Sequence, residues 1–264
     1  MPSYAILGAT GGIGRSLLRV LLQSPDNQIK AYCRSRAKLL RVCPEAAAAN
    51  TEQLTVFEGR LDDVALIADC LRGTRAVFLA VSVSDNMPGC TIAREATSVA
   101  VAALDALRQR NGPTAQLPTV VLSSSASLDK SFSGDVPPFV HWLLDRAVSN
   151  LYHDLAEAEA FLRAQGAWVR VVFVRPGGLV HDRQGGHEIS TTTAKTPLSF
   201  LDLAAGMVEV ADDEEGRYIV KSVSVLPTSD RVAFPWDCVY FVLTGLLYHY
   251  LPWTYQYFGE YRRR

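Results

Sequence analysis

Seven residues near the start of the chain, Gly8-Ala9-Thr10-Gly11-Gly12-Ile13-Gly14, constrain the fold more than any other feature. They follow the apolar run Tyr4–Leu7, which reads as a strand, and open Gly14–Leu22, which reads as a helix. In a strand–turn–helix with this GxxGxxG spacing, each glycine has its own reason. The first permits a tight turn, the middle one lets backbone approach a pyrophosphate, and the last lets helix and strand touch. Unpaired N–H groups and the positive end of the helix dipole then face the anion. Gly8, Thr10, Gly11, Gly12, Ile13 and Gly14 are therefore the expected binding residues for a dinucleotide.

The following residues repeat the strand–helix alternation. Gln28–Cys33, Leu54–Glu58, Ala76–Val81, Thr119–Leu122 and Val169–Val174 read as strands. Ala37–Val42, Val64–Leu71, Cys90–Arg108 and Asp145–Gln165 read as helices, and the alanines Ala46–Ala49 as an exposed stretch. This pattern predicts an α/β fold, a Rossmann-type doubly wound parallel sheet. After Leu179 the pattern loosens into a polar loop, His181–Gly186, a helix at Ser199–Val210, a strand at Tyr218–Val225 and an apolar, aromatic stretch, Val232–Trp253. With no low-complexity linker, residues 1–264 are expected to form one domain, with its core at 3–180 and a small C-terminal extension at 181–264.

Composition narrows the classes of partner. A formal net charge of -1 argues against a nucleic-acid surface, which needs excess Lys and Arg. Cys33, Cys43, Cys70, Cys90 and Cys238 form no CxxC pair, and His141, His181 and His187 have no ligand partners at metal-like spacing, so no metal site is expected. No signal-peptide pattern is visible at the N-terminus, and a cytoplasmic protein is the expectation.

The residue after the second strand selects the dinucleotide. An acidic side chain there binds ribose hydroxyls and favours NAD, whereas arginine favours the additional phosphate of NADP. Here stand Arg34 and Arg36, with Lys38 close behind, so NADP (as NADPH) is the expected cofactor. Asp62, after the third strand, has two readings: an acceptor for the adenine amino group, or the N-cap of the helix at Val64–Leu71.

Three segments carry a resemblance to a known family. TGGIGRSLL at Thr10–Leu18, LSSSAS at Leu122–Ser127 and VRPGGLVHD at Val174–Asp182 resemble the atypical short-chain dehydrogenase/reductases. The likeness is greatest to the NmrA-like and averufin oxidase A-like proteins of fungal aromatic-polyketide gene clusters, and it covers roughly residues 3–225. In conventional members a serine after the fifth strand orients the substrate carbonyl. A Tyr-x-x-x-Lys pair on the next helix moves the proton, the lysine lowering the tyrosine pKa. Ser125, third of the Ser123–Ser125 run, and Tyr152 match the serine and the tyrosine, and are the implied catalytic residues. Ser124, Pro176 and Gly177 are implied to lie along the cofactor. The departure is Ala156, which stands where the lysine would be. A phenol without a cation beside it ionises near pH ~10 and is a poor base at neutral pH.

The resemblance implies an NADPH-dependent oxidoreductase of secondary metabolism acting on an aromatic, quinone-like polyketide. A redox-inert NADP-binding sensor or scaffold is the alternative, as is an isomerase or cyclase on the same fold. The apolar stretch between Pro235 and Pro252 is shorter than the ~20 residues that span a bilayer, so membrane contact is not expected. Bulky residues all round this segment call for burial on more than one side, against the domain plus either a homodimer partner or an apolar substrate.

Overall fold

The computed structural model describes residues 1–83, 85–112, 116–132, 137–181, 183–229 and 237–259. In chain order, β1 (Ser3–Leu7) leads through the glycine turn to α1 (Gly12–Leu22), and β2 (Gln28–Cys33) to α2 (Arg36–Val42) and α3 (Glu45–Ala48). Next come β3 (Leu54–Glu58), α4 (Val64–Leu71), β4 (Ala76–Leu79), α5 (Ile92–Asn111) and β5 (Thr119–Ser123). Two helices, α6 (Pro138–Ala147) and α7 (Ser149–Ala164), precede β6 (Val171–Val174). They are followed by β7 (Leu179–Val180), β8 (His187–Ser190), β9 (Leu198–Ser199), α8 (Phe200–Ala211) and β10 (Ser222–Pro227). The C-terminal segment carries α9 (Asp237–Tyr250) and α10 (Tyr255–Phe258).

The main sheet has the order β3-β2-β1-β4-β5-β6-β10-β8, while β7 and β9 pair separately. Its strands run parallel except the edge strand β8, which is antiparallel to β10. The chain reverses winding direction between β1 and β4, and this is the doubly wound Rossmann-type fold that the glycine turn and the alternation predict. Alternation within each strand builds both faces of the core. Tyr4 and Ile6 meet Leu17, Leu18, Leu203 and Met207 on one side, and Ala5 and Leu7 meet Ile67, Leu104 and Leu155 on the other.

Several local expectations change. The helix expected at Asp145–Gln165 is two helices, separated at Val148, whose φ and ψ of -129° and 23° are not helical. Within Ala46–Ala49, Ala46 is buried beneath a single helical turn. Residues after 180 return to the sheet: α8 packs on α1, and β10 extends the ladder from β6. The strand there begins at Ser222, not Tyr218, and its partner β8 has too few apolar residues (His-Glu-Ile-Ser) to read as a strand.

The aromatic C-terminal helix has one covered face. Gly245 lies against the Ala147 carbonyl so closely that a side chain there would overlap it. The buried Asn86 amide donates to the carbonyls of Gly245 (3.0 Å) and Arg146 (3.2 Å), and Ser149 Oγ meets His249 Nδ1 at 2.8 Å. The opposite face of α9, with Tyr240, Leu243 and Tyr250, is exposed, as are Trp253 and Tyr257 beyond it. No described helix is long and apolar enough to cross a membrane.

Candidate functional site

The glycine turn sits at the carboxyl end of β1, between β2 and β4. The amides of Gly8 and Ala9 both donate to the Tyr32 carbonyl (3.3 and 3.2 Å), and the Ala80 amide donates to the Leu7 carbonyl at 3.0 Å. Gly8 has a φ of +91°, and a Cβ there would stand 2.7 Å from the Ala80 carbonyl oxygen. A Cβ on Gly14 would overlap the Gly8 carbonyl, and one on Gly12 would meet the Phe200 ring at 3.0 Å. Gly11 differs: its Cβ would find no protein atom nearer than 3.4 Å, and its φ and ψ of -75° and 171° suit any residue. Protein packing thus requires glycine at the first and last positions, while at the middle one a side chain would fit in ordinary contact with the Gly8 and Ala80 carbonyls. Helix α1 has no side-chain cap at Gly11, which leaves its first N–H groups for an anion. These uncapped N–H groups suit a dinucleotide pyrophosphate. Thr10 and Gly12 are partly exposed there, whereas Ile13 packs its side chain against the core and presents only backbone to the turn.

Arg34 follows β2 directly, two residues beyond the carbonyl that receives the Gly8 and Ala9 amides. Ser35 caps α2 by accepting the Lys38 amide at 3.2 Å, which sets Arg34 just outside the helix and Arg36 at its first residue. Both arginines are exposed and enter no ion pair among the described residues. Asp62 is corrected in one respect. The N-cap of α4 is its neighbour Asp63, which accepts the Leu66 amide at 3.0 Å. Asp62 is exposed and held by Arg60 in a two-bond contact, both bonds 3.0 Å, and that hydrogen bonding keeps its carboxyl below the usual range.

The serine cluster leaves β5 towards the same edge of the sheet. Ser124 is buried, and its hydroxyl donates to Glu159 Oε1 at 2.6 Å, so that group serves the fold. The partly exposed Ser125 accepts the Ser127 amide at 3.3 Å and caps the short turn Ala126–Leu128. The Tyr152 hydroxyl reaches this turn and donates to Ser127 Oγ at 3.0 Å. Serine loop and tyrosine are thus brought together, and Ser127 is a third hydroxyl at the site. The sequence signal for it was the last residue of SSSAS. His153 points into solvent, near Glu157. Ala156 is exposed, and no side chain there offers charge to Tyr152.

Behind Tyr152, α7 supplies two buried carboxylates. Asp154 accepts the Ala93 and Arg94 amides at 2.8 and 2.9 Å and closes the N-terminus of α5. Glu159 is buried against Arg175, the residue before Pro176. Their sequence signal was the run of carboxylates after Tyr152, whose inward direction only the helix phase reveals. Pro176 is buried, and its carbonyl accepts the Ala126 amide at 2.9 Å. A Cβ on Gly177 would overlap the Thr196 hydroxyl and come within 2.6 Å of the Lys195 carbonyl. The glycines after Pro176 therefore admit the Lys195–Thr196 loop, which was not foreseen from sequence. Among the described residues, no three His, Cys, Asp or Glu side chains gather as metal ligands do.

Comparison with known proteins agrees with this geometry. Residues 8–214 match the family model described as NAD(P)H-binding. The chain is 57% identical to the oxidoreductase stcQ of Emericella nidulans, covering 99% of this chain and 96% of that one. It is 56% identical to the oxidoreductase aflX of Aspergillus parasiticus, covering 98% and 96%. Among solved structures, a short-chain dehydrogenase/reductase of Veillonella parvula in complex with NADP superposes with a TM-score of 0.62 at 20% identity, over 89% of this chain and 99% of that one. At that identity the likeness concerns the fold.

Proposed function

We propose, from the premise that this chain belongs to the NAD(P)H-binding family and aligns over nearly its whole length with fungal oxidoreductases, that it is an NADPH-dependent oxidoreductase. Its substrate is a bulky aromatic carbonyl or quinone, of the kind that aromatic-polyketide pathways make. The observation that carries the cofactor half is the uncapped N-terminus of α1 at Gly11, together with Arg34 at the end of β2, exposed and without an ion-pair partner among the described residues. Gly8–Gly14 hold the pyrophosphate through backbone amides, and Arg34, with Arg36, pairs with the 2′-phosphate. Bound NADPH supplies the hydride.

Tyr152 on α7 reaches the turn that Ser125 caps after β5, which supports a role for both in hydrogen-bonding the substrate oxygen as it gains charge. Because Ala156 replaces the usual lysine, Tyr152 acts as a donor and the final proton comes from solvent. Quinones suit such a site, since their reduced products are weakly basic. A second reading, a redox-inert NADP-binding sensor, is favoured by the same alanine.

One set of measurements separates these readings. Fluorescence titration with NADPH and NADH is followed by nicotinamide oxidation across a panel of anthraquinones and xanthones. The expected result is tighter NADPH binding together with oxidation by at least one quinone. No NADPH binding overturns the cofactor assignment. Tight binding without turnover across the panel favours the sensor, and product formed without nicotinamide oxidation favours an isomerase or cyclase.

A further inference from the structure

A network of charge with a buried centre, Glu159 and Arg175, ties α7 to the serine loop and to the turn at Pro176. Arg175 donates from Nε to Glu159 Oε1 at 3.2 Å and from Nη2 to Glu159 Oε2 at 2.5 Å. Its Nη1 lies 2.7 Å from Asp129 Oδ2, close enough for an ion pair although not aligned as a hydrogen bond. Glu159 Oε1 also receives the Ser124 hydroxyl. Arg163, one turn along α7, sets its Nη2 3.7 Å from Glu159 Oε2, so two carboxylates face two guanidinium groups.

This network joins three separate segments. Glu159 stands on α7 two turns beyond Tyr152; Ser124 and Asp129 bracket Ser125 and Ser127; and Arg175 immediately precedes Pro176 and Gly177. Backbone bonds repeat the same connection, Ser124 N to Val174 O at 2.8 Å and Ala126 N to Pro176 O at 2.9 Å. Ser125 is thus the residue between two anchored neighbours. The guanidinium's planar fork fixes its direction on Glu159 through two bonds while its third nitrogen faces Asp129, whereas the three donors of an ammonium rotate freely.

We propose that Arg175 and Glu159 are positioning residues, a clamp that fixes Ser125 and Tyr152 relative to the turn at Pro176–Gly177. Buried polar pairs of this kind serve geometry more than net stability. Reaction rates are steep in geometry, so slack in the clamp lowers turnover while the glycine turn and Arg34, which among the described residues make no bond to the clamp, keep the cofactor bound. The kinetic part of this inference rests on the oxidoreductase reading, and the test therefore includes a readout that needs no turnover.

Arg175→Lys keeps the positive charge and loses the fork, while Glu159→Gln keeps an acceptor for Ser124 and loses the charge. Amide hydrogen exchange of the cofactor-free variants is expected to quicken about ten-fold at Ser124–Leu128 and Gly177–Leu179, with β1 and α1 unchanged. NADPH affinity stays within about two-fold, while kcat with 9,10-phenanthrenequinone falls about 10- to 100-fold and KM changes little. Unchanged exchange in those segments overturns the clamp. Loosening throughout the protein, failure of both variants to fold, or a parallel loss of NADPH affinity overturns positioning in favour of a purely architectural role. If the wild-type protein does not oxidise NADPH at all, the oxidoreductase reading fails, and the exchange pattern alone then decides whether the clamp exists.

Discussion

The carbonyl oxygen of Gly8 occupies the space in which a side chain on Gly14 would have to stand. The turn closes on itself there, and backbone on both sides leaves nothing free to shift. A Cβ on Gly11, three residues earlier, would make only ordinary van der Waals contact with the Gly8 and Ala80 carbonyl oxygens, at 3.4 and 3.6 Å. The two glycines should therefore fail in different ways. Gly14→Ala is expected to destabilise the protein by about 3 kcal/mol, read as a lower midpoint in urea unfolding. Gly11→Ala should unfold within about 2 °C of the wild type yet lose at least about ten-fold in NADPH affinity, because its methyl stands where the pyrophosphate approaches the backbone. A Gly11→Ala protein that binds NADPH normally would remove the pyrophosphate from this turn.

Arg34 is exposed and without an ion-pair partner among the described residues. A charge-assisted hydrogen bond to a phosphate contributes about 1.5–3 kcal/mol, or roughly 10- to 100-fold in affinity. Arg34→Ala should lower NADPH affinity by that factor and leave NADH affinity nearly unchanged, as fluorescence titration would show. An unaltered ratio of the two affinities contradicts the preference for NADP.

Tyr152 and Ser127 share one hydrogen bond at 3.0 Å, so their variants separate chemistry from support. Tyr152→Phe is expected to reduce kcat about 100-fold with a quinone substrate, since it deletes the donor to the developing oxyanion. Ser127→Ala should cost about ten-fold or less, because the Tyr152 hydroxyl stays in place with one partner fewer. Turnover unchanged in Tyr152→Phe would strike Tyr152 from the site.

His181 stacks on Phe200 at 4.4 Å between ring centroids, and its Nε2 lies 3.1 Å from Arg15 Nη2. Burial first, and then the Arg15 charge, push its pKa below the ordinary value of 6.5. The unfolded chain therefore binds more protons than the folded one between the depressed pKa and 6.5. Stability contributed by this group is present above that window and is lost as pH falls through it. Thermal midpoints should drop between about pH 7 and pH 5, and His181→Gln should flatten that part of the profile. Because the ring is partly solvated, the expected change is small. An identical profile in the variant would exclude His181 as a source of acid sensitivity.

Legibility followed the range of the interactions. The glycine turn and the strands of the parallel sheet were readable because each depends on neighbours a few residues away. Asp62 and Asp63 show where that reasoning is short by one position: either could cap α4, and backbone direction chose Asp63. The break at Val148 between α6 and α7 has no proline or glycine to announce it. Strand β8 was missed since an edge strand of mostly polar residues resembles a loop until β10 pairs with it. At the site, Ser125 and Tyr152 were named from the motif, but the bond from Tyr152 goes to Ser127, and the Glu159–Arg175 pair lies across a gap no spacing rule covers.

Gly8–Gly14 and the β–α alternation determined by themselves that this chain winds a parallel sheet and turns tightly from β1 into α1, because turn sterics and side-chain period act locally. The tertiary structure decided which glycines packing demands, Gly8 and Gly14, and which it does not, Gly11. It also decided that Ser124 serves the fold while Ser125 stays partly exposed beside Tyr152 and Ser127, and that Arg175 closes on Glu159. Those outcomes depend on contacts between segments far apart in the chain, and only the packing of α7 and α8 against the sheet brings them within reach.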